Sequence, residues 1–459
     1  MNKPFTPPNE ELTRRDLLKY GAIGTAGLVL SPYLNLFPLR KLYADSTILD
    51  GIYEIEWAGN TDYALDFQNT NASIKRELFH FDQVVIITTD DSGYSKIMPL
   101  STYKDNVVID ASGGNCNSGD LICKYKDGNR DNQRWKIISN EDGSYSFLCK
   151  GNESLAINLW KSDLNTGRIQ LYDFASGGVP GHWNLINLAT VTNSTLTYLD
   201  SQDFVYPQET LFIEDPQISR PEVLSKPNDW TIRTEDNKFI EIYYNGGFYK
   251  SGNAEFVLLY KNIGYIESRS IDAKIKLSNI VGKRAYDLSG NTKFNLNWGY
   301  NNSGSGGGSG ISAPNTFYGG LASAFVARYD LTYEFIDSNS GSTIPIKGSY
   351  LTICSIDGYE GIQYVTDTEY ETLLLKQTFV ENPLQGIFYC PTTSTSDLIG
   401  SPDFPKWAIS VKVNEDIPTF RCFNAKRDSL TPGNWNPPMP MPLTLYAPTD
   451  PAKGYTITK

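Results

Sequence analysis

Residues 106–146 read NVVIDASGGNCNSGDLICKYKDGNRDNQRWKIISNEDGSYS, and residues 154–188 read SLAINLWKSDLNTGRIQLYDFASGGVPGHWNLINL. Both open on an apolar strand ending in Asp or Asn and pass through a Gly/Asn loop. Both then enter a Tyr-bearing strand and close on a strand that contains Trp. Trp135 and Trp183 are 48 residues apart, as are Asp110 and Asn158. A degenerate copy precedes them. Ala64-Leu65-Asp66 matches the Ile109-Asp110 strand end, and the segment Asp82 to Ile87 matches Asn132 to Ile137. One unit of four short strands cannot bury its apolar faces alone, whereas three about an axis close a barrel with no free edge.

These repeats resemble the ricin B-chain lectin family, whose units carry Gln-x-Trp, over roughly residues 48–190. The motif is complete at Gln133-Arg134-Trp135; it is Gln83-Val84-Val85 in the first unit and Gly181-His182-Trp183 in the third. The resemblance implies a β-trefoil that binds sugars. A sugar offers an apolar ring face and a rim of hydroxyls, so a shallow site needs an aromatic platform and a carboxylate or amide. In the family, the Asp ending the first strand accepts hydroxyls, a later aromatic stacks on the ring, and the Asn before Gln-x-Trp adds a hydrogen bond. Carried over, these are Asp110, Tyr125 and Asn132 in the second unit. In the third they are Asn158, Gln170 and Tyr172, with Pro180 replacing the Asn. Cys123 departs from the family pattern, which often has Gln there. The first unit keeps Asp66 but no clear platform. The competing reading makes Asp110 an acceptor of turn amides and Tyr125 a packing residue. Trp135, Trp183 and Gln133 read as core and strand-pairing residues, so Trp135 is expected buried and Tyr125 partly exposed.

At the N-terminus, Thr13-Arg14-Arg15-Asp16-Leu17-Leu18-Lys19 resembles the bacterial twin-arginine export signal. A mild apolar run from Gly21 to Leu30 follows, and Tyr43-Ala44-Asp45 offers a small residue before a polar start. This implies a signal peptide over 1–44, with Arg14 and Arg15 read by the twin-arginine machinery, and a secreted or extracellular protein. No other stretch approaches the roughly 20 apolar residues of a membrane span.

The totals fit an all-β, multidomain reading. The chain has 459 residues, 29 Tyr, 38 Gly and a net charge of −12. That charge repels phosphate backbones, which argues against nucleic acid, while neutral glycans are indifferent to it. With two His, a multi-His metal site or His-based catalysis has little material. Neither a metal nor another cofactor is expected, and the oligomeric state is left open. Six Cys fall three to each half, and a Cys116–Cys123 or Cys123–Cys149 disulfide is one reading beside free thiols.

Residues 191–230, with scattered Pro, read as a connector. Residues 231–447 resume a β pattern without the repeat, and 448–459 read as a tail. Residues 331–363, with Ser355-Ile356-Asp357-Gly358-Tyr359-Glu360-Gly361-Ile362 near their end, resemble β-sandwich adhesin domains of Gram-positive surface proteins. The expected architecture is therefore a β-trefoil followed by a β-sandwich. The Ser/Gly run from Gly304 to Gly310 lacks the Lys-Ser/Thr of a phosphate loop. Asp357 and Glu360 are two nearby carboxylates of the kind glycoside hydrolysis uses, but in a Gly-rich hairpin they read as turn residues. The leading expectation is a secreted, non-catalytic protein whose partner is a glycan or polysaccharide. The alternatives are a glycan-targeted enzyme or toxin with its activity in the second half, and a purely structural surface protein.

Overall fold

The computed structural model describes residues 48–76, 79–199, 221–235, 239–246, 249–266, 269–282, 293–296, 321–324, 326–348, 350–353, 356, 359–392, 404–425 and 444–446. The 1–44 segment with Arg14 and Arg15, Gly304–Gly310, Asp357, Cys354 and the 448–459 tail lie outside the described residues.

Each repeat forms its four strands where the apolar alternation places them. The first unit holds β1 (Gly51–Trp57), β2 (Tyr63–Asp66), β3 (Ser73–Arg76) and β4 (Val84–Thr89). The second holds β5 (Ser95–Pro99), β6 (Val107–Ala111), β7 (Ile122–Lys126) and β8 (Trp135–Ser139). The third holds β9 (Tyr145–Cys149), β10 (Asn152–Leu159), β11 (Ile169–Asp173) and β12 (Trp183–Thr190). Antiparallel pairing runs β1–β4–β5–β8–β9–β12 and returns from β12 to β1. Six strands thus close a barrel, which removes every edge.

The other six strands pair as hairpins: β2–β3, β6–β7 and β10–β11. Isolated bridges tie these hairpins pairwise, Asn71 to Cys123, Ser73 to Arg168 and Leu121 to Gln170. A six-stranded barrel with a mutually bridged hairpin triplet is a β-trefoil. Repeated turns carry the symmetry into detail. The Gly93 amide donates to Asp90 O at 2.9 Å and the Gly143 amide to Asn140 O at 3.1 Å. Both glycines have φ near +80°, the left-handed region where only glycine is unstrained. The barrel core gathers Ile55, Val85, Ile97, Ile109, Trp135, Phe147, Ile157 and Trp183.

The second half is a set of further β-sheets. The eight-stranded sheet centres on Arg269–Gly282, Val326–Asp337, Thr419–Asn424 and Glu360–Val365. Along Val326–Asp337 the buried side chains alternate, with Tyr329, Leu331, Tyr333 and Phe335 inward. Five strands make a second sheet and four a third, and all three sheets contribute to one core that includes Trp230, Ile275, Leu351, Ile409 and Phe420. Within the stretch expected as a connector, Ser194–Leu199 pairs in parallel with Tyr370–Leu375. Its alternating Ser-Thr-Leu-Thr-Tyr-Leu is strand chemistry, and no Pro interrupts it.

The two halves share a hydrophobic core. Ile52, Phe79, Val84, Ile86, Leu100, Leu188 and Ala189 of the trefoil pack with Val281, Ala327, Ile387, Tyr389, Phe423 and Ala425 of the second half. Phe81 stacks on Tyr359 with ring centroids 4.6 Å apart. Polar contacts surround this joint. The Gln363 side chain accepts from the Thr190 amide at 3.1 Å and donates to the Thr190 carbonyl. Arg328 donates to Asn187 O, and Lys250 sits 3.2 Å from the buried Glu56 carboxylate. A joint of this size couples the two folding units. Ile86→Ala and Phe423→Ala, on opposite sides of it, are each expected to remove about 2–5 kcal/mol. In scanning calorimetry both should shift the same single transition, whereas two separate endotherms would show that the halves unfold independently.

Candidate functional site

The second unit brings its three expected residues together. Asp110 lies one residue before the end of β6, opposite Cys123, and Tyr125 lies opposite Val108 two positions along the same ladder. The period of two puts Asp110 and Val108, Cys123 and Tyr125 on one face of the hairpin. Asp110 is nearly buried and Tyr125 is 57% exposed, so the ring faces solvent beside a recessed carboxylate. Asn132 Nδ2 donates to Asp110 Oδ2 at 2.9 Å and to Ala111 O at 2.8 Å. Gln133 Nε2 donates to the same Oδ2 at 2.9 Å and to Lys126 O at 2.9 Å. Asn132, expected to bond a sugar, and Gln133, expected to pair strands, therefore both aim the carboxylate. Asp110 Oδ1 meets only the Cys123 thiol, at 3.9 Å, among the described residues. Its remaining lone pairs are where a hydroxyl donor fits. Burial pushes the Asp110 carboxyl above its ordinary value, against the lowering effect of the Gln133 and Asn132 hydrogen bonds.

The third unit repeats this register with different chemistry. Asn158 lies opposite Gln170, and Ala156 opposite Tyr172. Asn158 and Gln170 are each 5% exposed, while Tyr172 is 42% exposed. Gly181 and Pro180 stand where Gln133 and Asn132 stand in the second unit. A Cβ on Gly181 would lie 3.5 Å from Asn158 Nδ2, so Gly181 borders this amide without reaching into it. Neither the Asn158 nor the Gln170 side-chain amide has a hydrogen-bond partner among the described residues. Two recessed amides beside an exposed tyrosine form a neutral donor–acceptor pair. Their amide atoms are not among the buried unpartnered ones, so water or a ligand hydroxyl can reach them.

The first unit has the same backbone and no site. Asp66 lies opposite Ser73, and Lys75 occupies the platform position opposite Ala64. Asp66 Oδ2 lies 3.4 Å from His80 Nε2, and Oδ1 accepts the Gln68 amide at 3.1 Å. Burial raises this carboxyl, but the His80 and Gln68 hydrogen bonds outweigh it and hold Asp66 below its ordinary value. Both histidines are thus paired with carboxylates, His182 lying 2.9 Å from Asp142.

What positions the two sites is buried tryptophan. Trp135 and Trp183 are fully buried. Trp135 Nε1 donates to Ile109 O at 3.4 Å and Trp183 Nε1 to Ile157 O at 3.1 Å. Each indole therefore clamps the residue just before the site Asp or Asn. Sequence reasoning missed the orienting role of Gln133, although its place beside Asn132 in a shared motif was a signal for it.

Residues 78–172 match the family model described as ricin-type β-trefoil lectin domain-like. The matched residues lie within the closed barrel and its hairpins. Among solved structures, the designed three-fold symmetric protein ThreeFoil is 21% identical, covers 30% of this chain and 100% of its own, and has a TM-score of 0.27. A Polyporus squamosus lectin bound to a human-type influenza-binding epitope is 18% identical, with 31% of this chain and 51% of that chain covered and a TM-score of 0.28. A mosquitocidal holotoxin is 13% identical, covering 67% of this chain and 36% of its own at a TM-score of 0.32. This chain therefore spans about half of that lectin and about a third of that toxin. No curated protein matches the sequence.

Two measurements separate platform from clamp and carboxylate from amide. Tyr125→Ala should leave the melting temperature nearly unchanged, whereas Trp135→Ala should destabilise the fold by about 3–5 kcal/mol; a reversed order in thermal melts would make Tyr125 a core residue. The raised Asp110 carboxyl gives the second pH signature. Its charged form accepts hydroxyls best, so ligand binding by the second unit should weaken as pH falls, at a pH higher than an ordinary Asp would give. Binding by the third unit, built on amides, should stay flat in the same titration.

Proposed function

We propose that the chain is a secreted, non-catalytic glycan-binding protein whose trefoil presents two shallow sugar sites, on the second and third units. One observation carries this reading: an exposed tyrosine stands beside a recessed hydrogen-bonding group at the same ladder register twice, at Tyr125/Asp110 and Tyr172/Asn158. The aromatic ring receives the apolar sugar face, and the recessed groups receive vicinal hydroxyls. The ricin-type lectin-like match suggests carbohydrate as the ligand class. Neutral glycans or a polysaccharide fit a chain of net charge −12 better than nucleic acid does. We read the second half as an adhesin-like scaffold. Glu360 lies buried on a strand of the eight-stranded sheet, which argues against its serving as an accessible catalytic carboxylate.

Shallow sites with one platform and a few hydrogen bonds reach about millimolar affinity, roughly −4 kcal/mol. Two such sites on one rigid domain favour a polymer through avidity. A glycan array followed by titration should show polysaccharide bound more tightly than its monosaccharide. The double variant Tyr125→Ala/Tyr172→Ala should lose the array signal while staying folded. Undiminished binding by that variant, or tight monosaccharide binding by the native chain, would overturn the reading.

Delivery outside the cell rests on the Thr13-to-Lys19 motif. Replacing Arg14 and Arg15 together with Lys is expected to leave the precursor in the cytoplasm, as fractionation would show. Normal export of that variant would exclude the twin-arginine route.

A further inference from the structure

The trefoil holds three of the cysteines, and the fold sorts them. Cys123 lies in β7 with its thiol toward Asp110. Cys116 lies in the loop between β6 and β7, and Cys149 ends β9. Cys116 Sγ and Cys149 Sγ are 2.9 Å apart, both buried. Gly151 keeps room for them, because a Cβ there would lie 2.5 Å from Cys116 Sγ. Its φ is not in the left-handed region, so space rather than backbone conformation is what favours glycine there. The sequence alone suggested pairs that include Cys123, whereas the fold brings together the other two.

We propose that Cys116 and Cys149 are a redox pair that closes to a disulfide by exchange with an external disulfide such as oxidised glutathione. One thiolate attacks the external disulfide and releases a thiol, and the second thiolate then displaces the mixed disulfide and releases another. The pair gives up two electrons and two protons, and the external disulfide becomes two thiols. The bond staples the site loop of the second unit to the barrel. Cys116, a non-glycine, sits in this loop at φ +48°, a strained conformation that the bond would help hold. The loop follows Asp110 directly, and Cys149 Sγ also lies 3.9 Å from Asp131 O, next to Asn132. Oxidation therefore braces both sides of the second-unit site. Burial pushes the Cys149 thiol up to about 12 and raises Cys116 as well, so exchange is slow at neutral pH and accelerates as pH rises.

The proposal is independent of sugar binding. The full chain, reduced and then incubated with oxidised glutathione, is denatured, alkylated and mapped by mass spectrometry without reduction. No Lys or Arg separates Cys116 from Cys123, so cleavage before Asp120 resolves them. The expected result is a Cys116–Cys149 linked peptide, retained in Cys123→Ser, and a melting temperature higher by about 3–5 °C in the oxidised chain. Alkylation of both Cys116 and Cys149 in the oxidised chain, or a link through Cys123 instead, would overturn the proposal.

Discussion

Trp135 and Trp183 hold the trefoil's hairpins against its barrel, and the two candidate sites depend on them. Each indole is buried and donates to a carbonyl 26 residues earlier, on the strand that ends in Asp110 or Asn158. A tryptophan without this bond would leave a buried N–H unsatisfied, a penalty of about 1–3 kcal/mol. The bond therefore fixes the indole and the strand together. Once β6 and β10 are fixed, the ladder register decides what reaches solvent: a recessed polar group at one position and tyrosine two residues along the partner strand. The chemistry of each site then follows from the residues before Trp. Asn132 and Gln133 aim a carboxylate, whereas Pro180 and Gly181 leave the amide of Asn158 open.

The first unit shows what happens without that clamp. Val85 stands where Trp135 stands, and the Gln83 side chain donates to Arg76 O at 2.8 Å. Its acidic residue is paired with His80, its platform position holds Lys75, and the residues around His80 serve another purpose. The Phe79 amide donates to the buried Glu54 at 3.1 Å and its ring enters the core shared with the second half. Phe81 stacks on Tyr359. All three units contribute to the joint with the second half, through Ile52 and Phe79, Leu100, and Leu188 and Ala189, and it leaves Tyr125 and Tyr172 exposed. On the proposed reading, two sites on one rigid body suit a repeating polymer better than isolated sugars.

The trefoil was legible in the sequence because its strand and loop pattern is written three times, twice with Trp at a spacing of 48 residues. Trp135 was legible as a core residue because it belongs to the Gln-x-Trp strand and recurs at Trp183. The orientation of Asp110 by Gln133 was not legible, since a side-chain amide can pair with strand or with carboxylate equally well. The cysteine pairing was hidden too, because sequence distance favours Cys123 while the closed barrel brings β9 back to the β6–β7 loop. The second half lacks a repeat, so its strand order and the joint with the trefoil depend on contacts between residues more than a hundred positions apart, as with Thr190 and Gln363. Strands such as Ser194–Leu199 are recognisable by composition, but their partners are not.

The central claim is that this trefoil carries two sugar sites, set by Tyr125 and Tyr172, and none on its first unit. Equilibrium titration of the full chain with an oligosaccharide selected on an array tests it most directly. The account predicts two sites per chain, one in either Tyr125→Ala or Tyr172→Ala, and none in the double variant. A stoichiometry of three, or one that neither substitution changes, would contradict it.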